Sequence, residues 1–443
     1  MKPVALERRG NEPVPEALRT TGATDLFAIL FMGQLTPAQI VLGGLAVAVG
    51  GLSYPWATAS AVIGFGLAAG ILAILGQVGV DYGIPGQVAL RATFGVRGSQ
   101  VLTSPLRIIT GTYWFAAQAL ASALAVSVIA DGVGISVPGS AVLGVTIGFA
   151  QAAIALIGFH GVRRAARLSV LSGLTVVAII LFLLRDVPAA SMHHSAFRWQ
   201  VFAAFTSIFC GAGLTNVTNI ADVCRYCRSR NSMRIGLVGG TIIGTALAAG
   251  IGAFAAERTG SRNPFAFTAN LHNEDVLLVV LALLILVQAT AVNSFNLYTV
   301  GMSVVNSIPS LGRIRATAVA SVAAILLSGV PTLVTHANQW VSRLANITSP
   351  IAGVLIADYV IARRMHLDVD ELLSADERAS RAPRINASTI ASVAVGSAIY
   401  AAVPQELVRV FWGIAASCAA QLMIVAIARR GRVVSSETVG AGK

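Results

Sequence analysis

The sequence predicts an all-α polytopic membrane protein with about twelve transmembrane helices, and three observations predict it. Hydrophobic residues fill 56% of the 443 positions, charged residues only 11%, and the mean hydropathy is +0.77, far from the make-up of a soluble domain. The apolar residues fall into runs near the ~20 residues that a helix needs to cross the hydrocarbon core. The basic residues, finally, alternate with the connections between runs. The N-terminal tail, the even-numbered connections and the C-terminal tail hold Arg8, Arg9, Arg91, Arg97, Arg163, Arg164, Arg167, Arg225, Arg228, Arg230, Arg234, Arg313, Arg315, Arg363, Arg364, Arg429 and Arg430. The odd-numbered side has only Arg185, Arg198, Arg258, Arg262 and Arg409, with Arg343 inside the tenth run. By the positive-inside rule both termini are expected in the cytoplasm of a cell (plasma) membrane protein, and the number of crossings is even.

In order, the runs cover 26–51, 54–79, 101–130, 138–158, 167–184, 200–222, 234–256, 276–304, 314–334, 339–361, 385–403 and 406–428. Residues 1–24 carry charges and prolines and lack the apolar core and cleavage site of a signal peptide, so they are expected to form a cytoplasmic tail before a retained helix. The net charge of +12 could point to nucleic acid, but its alternation between connections assigns it to membrane topology, and no nucleic-acid partner is expected.

The first run breaks at its middle, in FMGQLTPAQIVLGG, where Gly33, Gln34, Thr36, Pro37 and Gln39 cluster. Proline removes an amide donor and glycine relaxes the backbone, and lipid tolerates the freed groups only where they line a cavity or are buried in protein. The sixth run breaks likewise, in IFCGAGLTNVTNIAD. Interrupted helices five runs apart are the pattern of a transporter with inverted repeats and a site near the midplane. An odd number of spans per repeat turns the second copy upside down, so 25–184 is expected to be the first five-helix repeat and 200–362 the second. Helices eleven and twelve (385–428) and a cytoplasmic tail (429–443) follow.

The third run carries YWFAAQ, which sets Trp114 and Gln118 one helical turn apart. A flat aromatic face with a carboxamide beside it suits a planar heterocycle with a rim of donors and acceptors. The eighth run carries Asn293 and Asn296, costly in lipid unless they face a cavity or a partner. Four cysteines make no disulfide framework, and Cys224 with Cys227 is one CxxC without a second pair, which reads as structural rather than zinc-binding. His193 and His194 fall in a connection without catalytic context. No P-loop, metal motif or intramembrane acid pair is present, so the protein is expected not to be an enzyme and to need no cofactor.

Several segments together resemble the nucleobase-cation symporter family of purine, cytosine, uracil, allantoin and hydantoin permeases. They are VPEALRT (14–20), GIPGQVALRATFGVRG (83–98), YWFAAQ (113–118), NIADVCRY (219–226), AVNSFNLY (291–298) and SPIAGVLIADYVIARR (349–364). The resemblance implies a five-plus-five, LeuT-like inverted-repeat core with broken helices one and six, plus two extra helices, and cation-coupled uptake of a flat nitrogen heterocycle. It further implies that Trp114 stacks on the substrate and Gln118 bonds its edge, with Gln39, Asn293 and Asn296 as further contacts. Gly213 stands where family members carry a second aromatic, and Phe209, one turn earlier, is the candidate replacement. Sodium-coupled members have hydroxyl residues where this chain has Ala291 and Val292. Thr290, Gln34 and Pro37 are what remains for a cation site, and a proton is favoured over sodium as the coupling ion. Asp222 with Arg225, and Asp358 with Arg363, are expected to form gate or interface pairs. A monomer is expected to suffice. The alternative is a permease of the same fold for another small amine or amino acid, with a membrane receptor as the remaining reading.

Overall fold

Among the described residues, helices stand at the predicted places along the chain. The computed structural model describes residues 11–155, 159–185, 187, 197–271, 274–373 and 384–440, with 154, 155, 159–161, 270 and 428–440 described by backbone alone. Arg8, Arg9, His193 and His194 lie outside the described residues. Eight helices are long and apolar enough to cross a membrane, a bent pair makes one more, and shorter apolar helices stand at the fourth, sixth and eleventh places.

The first span is that bent pair, Ala23–Gln34 and Pro37–Ala48, turned by 54°. The local sequence dictates the restart. Thr36 takes an extended backbone and its hydroxyl accepts from the Gln39 amide at 3.4 Å, while Pro37 occupies the first helical position, where no donor is needed. The sixth span is Trp199–Leu214, a turn through Thr215–Asn219, and Ile220–Cys224. Both predicted breaks are therefore real interruptions of the helix.

The packing pairs spans of the first half of the chain with spans of the second. The first span lies on the seventh (Arg230–Thr259) and the sixth on the second (Tyr54–Leu75), while the third (Ser104–Gly132) lies on the eighth (Asp275–Ser307). The third also packs on the fourth (Ser140–Ala155) as the eighth packs on the ninth (Gly312–Leu327). Close approach of the first and seventh spans rests on a stripe of small residues at every fourth position, Gly236, Gly240, Gly244, Ala248, Gly252 and Ala256. A Cβ at Gly240 would meet the Phe27 carbonyl oxygen at 2.5 Å, and one at Gly252 would collide with the Ile40 carbonyl. Both halves of the broken span thus lie against one straight helix.

Two boundaries differ from expectation. The fifth span begins at Phe159, ahead of the predicted 167, because its first turns are charged: Arg163 and Arg167 both pair with Asp25 at the start of the first span. Hydropathy could not see a helix whose early turns are held by ion pairs. Residues 11–22, expected as part of a tail, are docked instead. The Val14 amide bonds the Gly83 carbonyl at 2.9 Å, the Thr21 amide bonds the Tyr226 carbonyl at 2.9 Å, and Arg19 donates to the Val14 and Val80 carbonyls.

Candidate functional site

The two breaks and the third span meet at one cavity. Thr36 and Thr215 stand at equivalent points of the look-alike stretches GQLTP and GAGLTN, and each receives a side chain from the third span. Gln118 Nε2 donates to Thr36 Oγ1 at 3.0 Å, and Trp114 Nε1 donates to Thr215 Oγ1 at 2.8 Å. Gln118 Oε1 in turn accepts from the Ala38 amide at 3.3 Å, one of the donors that the restart of the helix leaves without an intrahelical partner. One turn of the third span therefore ties the two interrupted helices together.

The cavity volume is about 60 Å³. Of the residues singled out in the sequence, Trp114, Gln118, Gln39, Gln34, Gly33, Gly213, Val292 and Asn296 line it. No acidic or basic side chain is among the lining residues. The Gln39 side chain is buried and its carboxamide makes no hydrogen bond among the described residues, which leaves both its donor and its acceptor for a ligand. Asn296 spends its Nδ2 on Asn293 Oδ1 at 3.2 Å and keeps its own oxygen. Gln34 Oε1 accepts from Thr245 at 3.3 Å.

The remaining expected residues lie elsewhere. Asn293 is fully buried and turned away from the cavity, donating to the Phe115 carbonyl at 3.1 Å and to Gln151 Oε1 at 2.5 Å, so it anchors Asn296. Phe209 is also fully buried, packed against Phe65 and Phe205 with ring centroids 6.0 and 6.3 Å away. The aromatic that does line the cavity beside Gly213 is Phe65 of the second span. A Cβ at Gly213 would lie 2.5 Å from Ala68 Cβ and 3.2 Å from the Phe65 ring, so the space an aromatic at 213 would fill is already occupied. Sequence reading missed Phe65 because its neighbours, AVIGFGLAAG, look like ordinary helix packing. The glycine before it, Gly64, is the signal: a Cβ there would strike the backbone of the sixth span.

Pro37 is buried at the restart and is not a lining residue, and the Thr290 hydroxyl donates to the Leu286 carbonyl of its own helix at 2.7 Å. The Leu35 carbonyl, freed by the break, takes the Gln288 amide at 2.7 Å, and Gln288 Oε1 accepts from Ser169 at 2.5 Å and Ser172 at 3.0 Å. Gln288 thus braces the break against the fifth and eighth spans, a contact the sequence did not announce.

Asp358 pairs with Arg363 at 2.9 Å and accepts from Thr93 at 2.7 Å, while Arg363 also donates to the Ala92 carbonyl at 2.8 Å. This pair staples the end of the tenth span to the connecting helix Gly86–Phe94. Asp222 is fully buried; its Oδ1 accepts from the Gly86 amide at 2.7 Å and its Oδ2 has no hydrogen-bond partner. Arg225 donates to the Tyr298 hydroxyl at 3.0 Å and the Tyr226 hydroxyl at 3.2 Å. Among the described residues no group of three His, Cys, Asp or Glu could hold a metal ion. Burial pushes the Cys227 thiol up to about 12, which keeps it protonated and inert.

A sequence model of permeases for cytosine/purines, uracil, thiamine and allantoin matches residues 13–425. The chain belongs to this family. The permease is 26% identical over 445 aligned residues to the allantoin permease of Bacillus subtilis (strain 168), covering 90% of this chain and 89% of that one. It is 24% identical to the putative purine-cytosine permease YxlA of the same organism, over 70% of this chain and 68% of that one. Its fold is similar to that of Mhp1, a nucleobase-cation-symport-1 family transporter, in a closed conformation with bromovinylhydantoin bound. That match has a TM-score of 0.79 and 19% identity, over 96% of the permease and 97% of Mhp1. An inward-facing conformation of Mhp1 matches with a TM-score of 0.78 and 19% identity, over 96% of each chain.

Proposed function

We propose that the permease imports a nucleobase or related planar nitrogen heterocycle, such as cytosine, a purine, uracil, allantoin or hydantoin, by cation-coupled alternating access. The observation that carries this reading is a cavity lined by Trp114, Phe65 and uncharged amides, with the Gln39 carboxamide unspent. Such a lining, with Phe295 as a third aromatic, offers a ring aromatic surfaces and its edge a donor and an acceptor, with no charge to attract an amino acid's ammonium or carboxylate. That Mhp1 has been seen both closed around a hydantoin and facing inward supports two conformations for this chain as well. The arginine alternation supports cytoplasmic termini in a plasma membrane, and the lost hydroxyls at Ala291 and Val292 support a proton rather than sodium as the coupling ion. A monomer contains the whole cavity.

The test is uptake of labelled cytosine, uracil, hypoxanthine, allantoin and hydantoin into proteoliposomes under an imposed pH gradient. At least one should accumulate and compete with the others. Transport of an amino acid, with none of the five carried, would overturn the reading.

A further inference from the structure

Buried polar atoms without partners are rare in native proteins, and each calls for an explanation. Several of those among the described residues lie on one segment. Thr218 Oγ1, both side-chain polar atoms of Asn219 and Asp222 Oδ2 are all buried without a hydrogen-bond partner, and they lie in the turn and the second helix of the interrupted sixth span. Arg107, fully buried inside the third span, faces the same region. It donates to Thr299 at 2.5 Å and to Thr110 at 3.4 Å, its Nε has no partner, and Asp222 is the opposite charge that acts on it.

We propose that Asp222 carries the coupled proton. This rests on the transport reading above and names the residue that the coupling would use. The proton binds at Oδ2, the oxygen left without a donor, since Oδ1 is held by the Gly86 amide. Asn219 Oδ1, three residues earlier on the same segment, is a buried acceptor without a partner. The surrounding charges leave Asp222 as the group free to change. The second span, over Tyr54–Leu75, carries no titratable side chain other than Tyr54 at its far end. In the adjoining helix Gln77–Tyr82, Asp81 is held by Arg230 at 2.7 Å and Tyr82 bonds outward to Met365 and Leu367. In Gly86–Phe94, Arg91 is committed to Asn306 at 2.7 Å and the Leu372 carbonyl at 2.9 Å. Of its own segment, Arg225 bonds the two tyrosines while its charge, like that of Arg107, acts on the Asp222 carboxylate, and Cys224 is a buried thiol.

Protonation would leave the Arg107 charge buried without its counter-charge, a costly arrangement that a shift of the third span against the sixth relieves. Arg107 lies seven residues before Trp114, two turns along the same face of the helix. The same two spans are joined at the cavity by Trp114 and Thr215. Proton and substrate therefore act on one pair of helices, and by linkage each changes the other's affinity by the same factor.

The experiment uses whichever of the five labelled heterocycles wild type accumulates. A pH difference of about one unit supports at most about tenfold accumulation for one proton per substrate. Asp222→Asn should bring that ratio down to about one while counterflow exchange, which needs no net proton movement, persists. Full accumulation by Asp222→Asn would overturn the proposal, and so would a wild-type ratio that ignores the pH gradient. Should Asp222→Asn fail to reach the membrane, Asp222→Glu decides: moving the carboxyl by one methylene must shift the midpoint of the pH profile of uptake, and an unmoved midpoint rejects Asp222. Failure of wild type to carry any of the five compounds would instead reject the transport reading itself.

Discussion

Trp114 presents its ring to the cavity while its indole N–H is held by Thr215, so a change there removes two things that can be separated. Stacking on an aromatic contributes about 1–3 kcal/mol per base where it has been measured, so Trp114→Ala should weaken binding by about tenfold or more. Trp114→Phe keeps a ring and loses only the bond to the sixth span. It should retain most of the affinity in a binding assay; an affinity as poor as that of the alanine variant would assign the energy to the bond. Gln39 and Gln118 differ in the same way. Gln118 has both ends committed to the broken first span, so Gln118→Leu should impair transport of every substrate alike. Gln39 is uncommitted, and leaving a buried ligand group unpaired costs about 1–3 kcal/mol, so Gln39→Leu should discriminate between substrates by their edge donors. A competition series with analogues lacking one N–H at a time measures this, and a flat Gln39→Leu response would remove it from the site. That these residues meet at one cavity was legible from aromatic and carboxamide types at unlikely depths in lipid. Which amide is spent was not, because it depends on where the break turns Thr36 and Ala38.

The interruptions were legible at the scale of the element because backbone chemistry writes them locally. Thr36-Pro37-Ala38-Gln39 is a helix-start signature, and the look-alike LT pairs of the two breaks turn out to be the two anchors of the third span. The early start of the fifth span was illegible for the opposite reason, since Arg163 and Arg167 acquire their meaning only when Asp25 is brought beside them. The small-residue stripe of the seventh span is periodic in sequence, yet only the packed structure shows that it seats both halves of the first span. With the Ile40 carbonyl already where a methyl would go, Gly252→Ala should destabilise the fold by about 1–3 kcal/mol, the usual cost of overpacking. Gly70→Ala is the matched control, since a Cβ there meets nothing within 4 Å. Thermal unfolding in detergent should show a lower midpoint for Gly252→Ala and none for Gly70→Ala. Equal midpoints would mean that the first and seventh spans can separate without cost.

At the scale of the whole molecule, the question is what ion drives the cycle, and the oxygens near the first break bear on it directly. A hard cation takes about six oxygen ligands, and a break supplies some of them as freed carbonyls. In this chain the Leu35 carbonyl is already bonded to the Gln288 amide at 2.7 Å, and the oxygen of that amide is filled by Ser169 and Ser172. Thr290, which donates its hydroxyl proton to Leu286, leaves one side-chain oxygen here, and Ala291 and Val292 offer none. An N–H donor does here, without any ion, what a cation would do in bridging the break to the eighth span. Sodium should therefore bind poorly: uptake driven by a pH gradient should persist in sodium-free medium, and sodium added at fixed membrane potential should leave substrate affinity nearly unchanged. Because an ion coupled through binding must alter substrate affinity by the factor with which substrate alters its own, a sodium titration of substrate affinity is the decisive measurement. A saturable rise in affinity with sodium would show that the Gln288 brace opens to admit the ion, and proton coupling through Asp222 would then have to be given up.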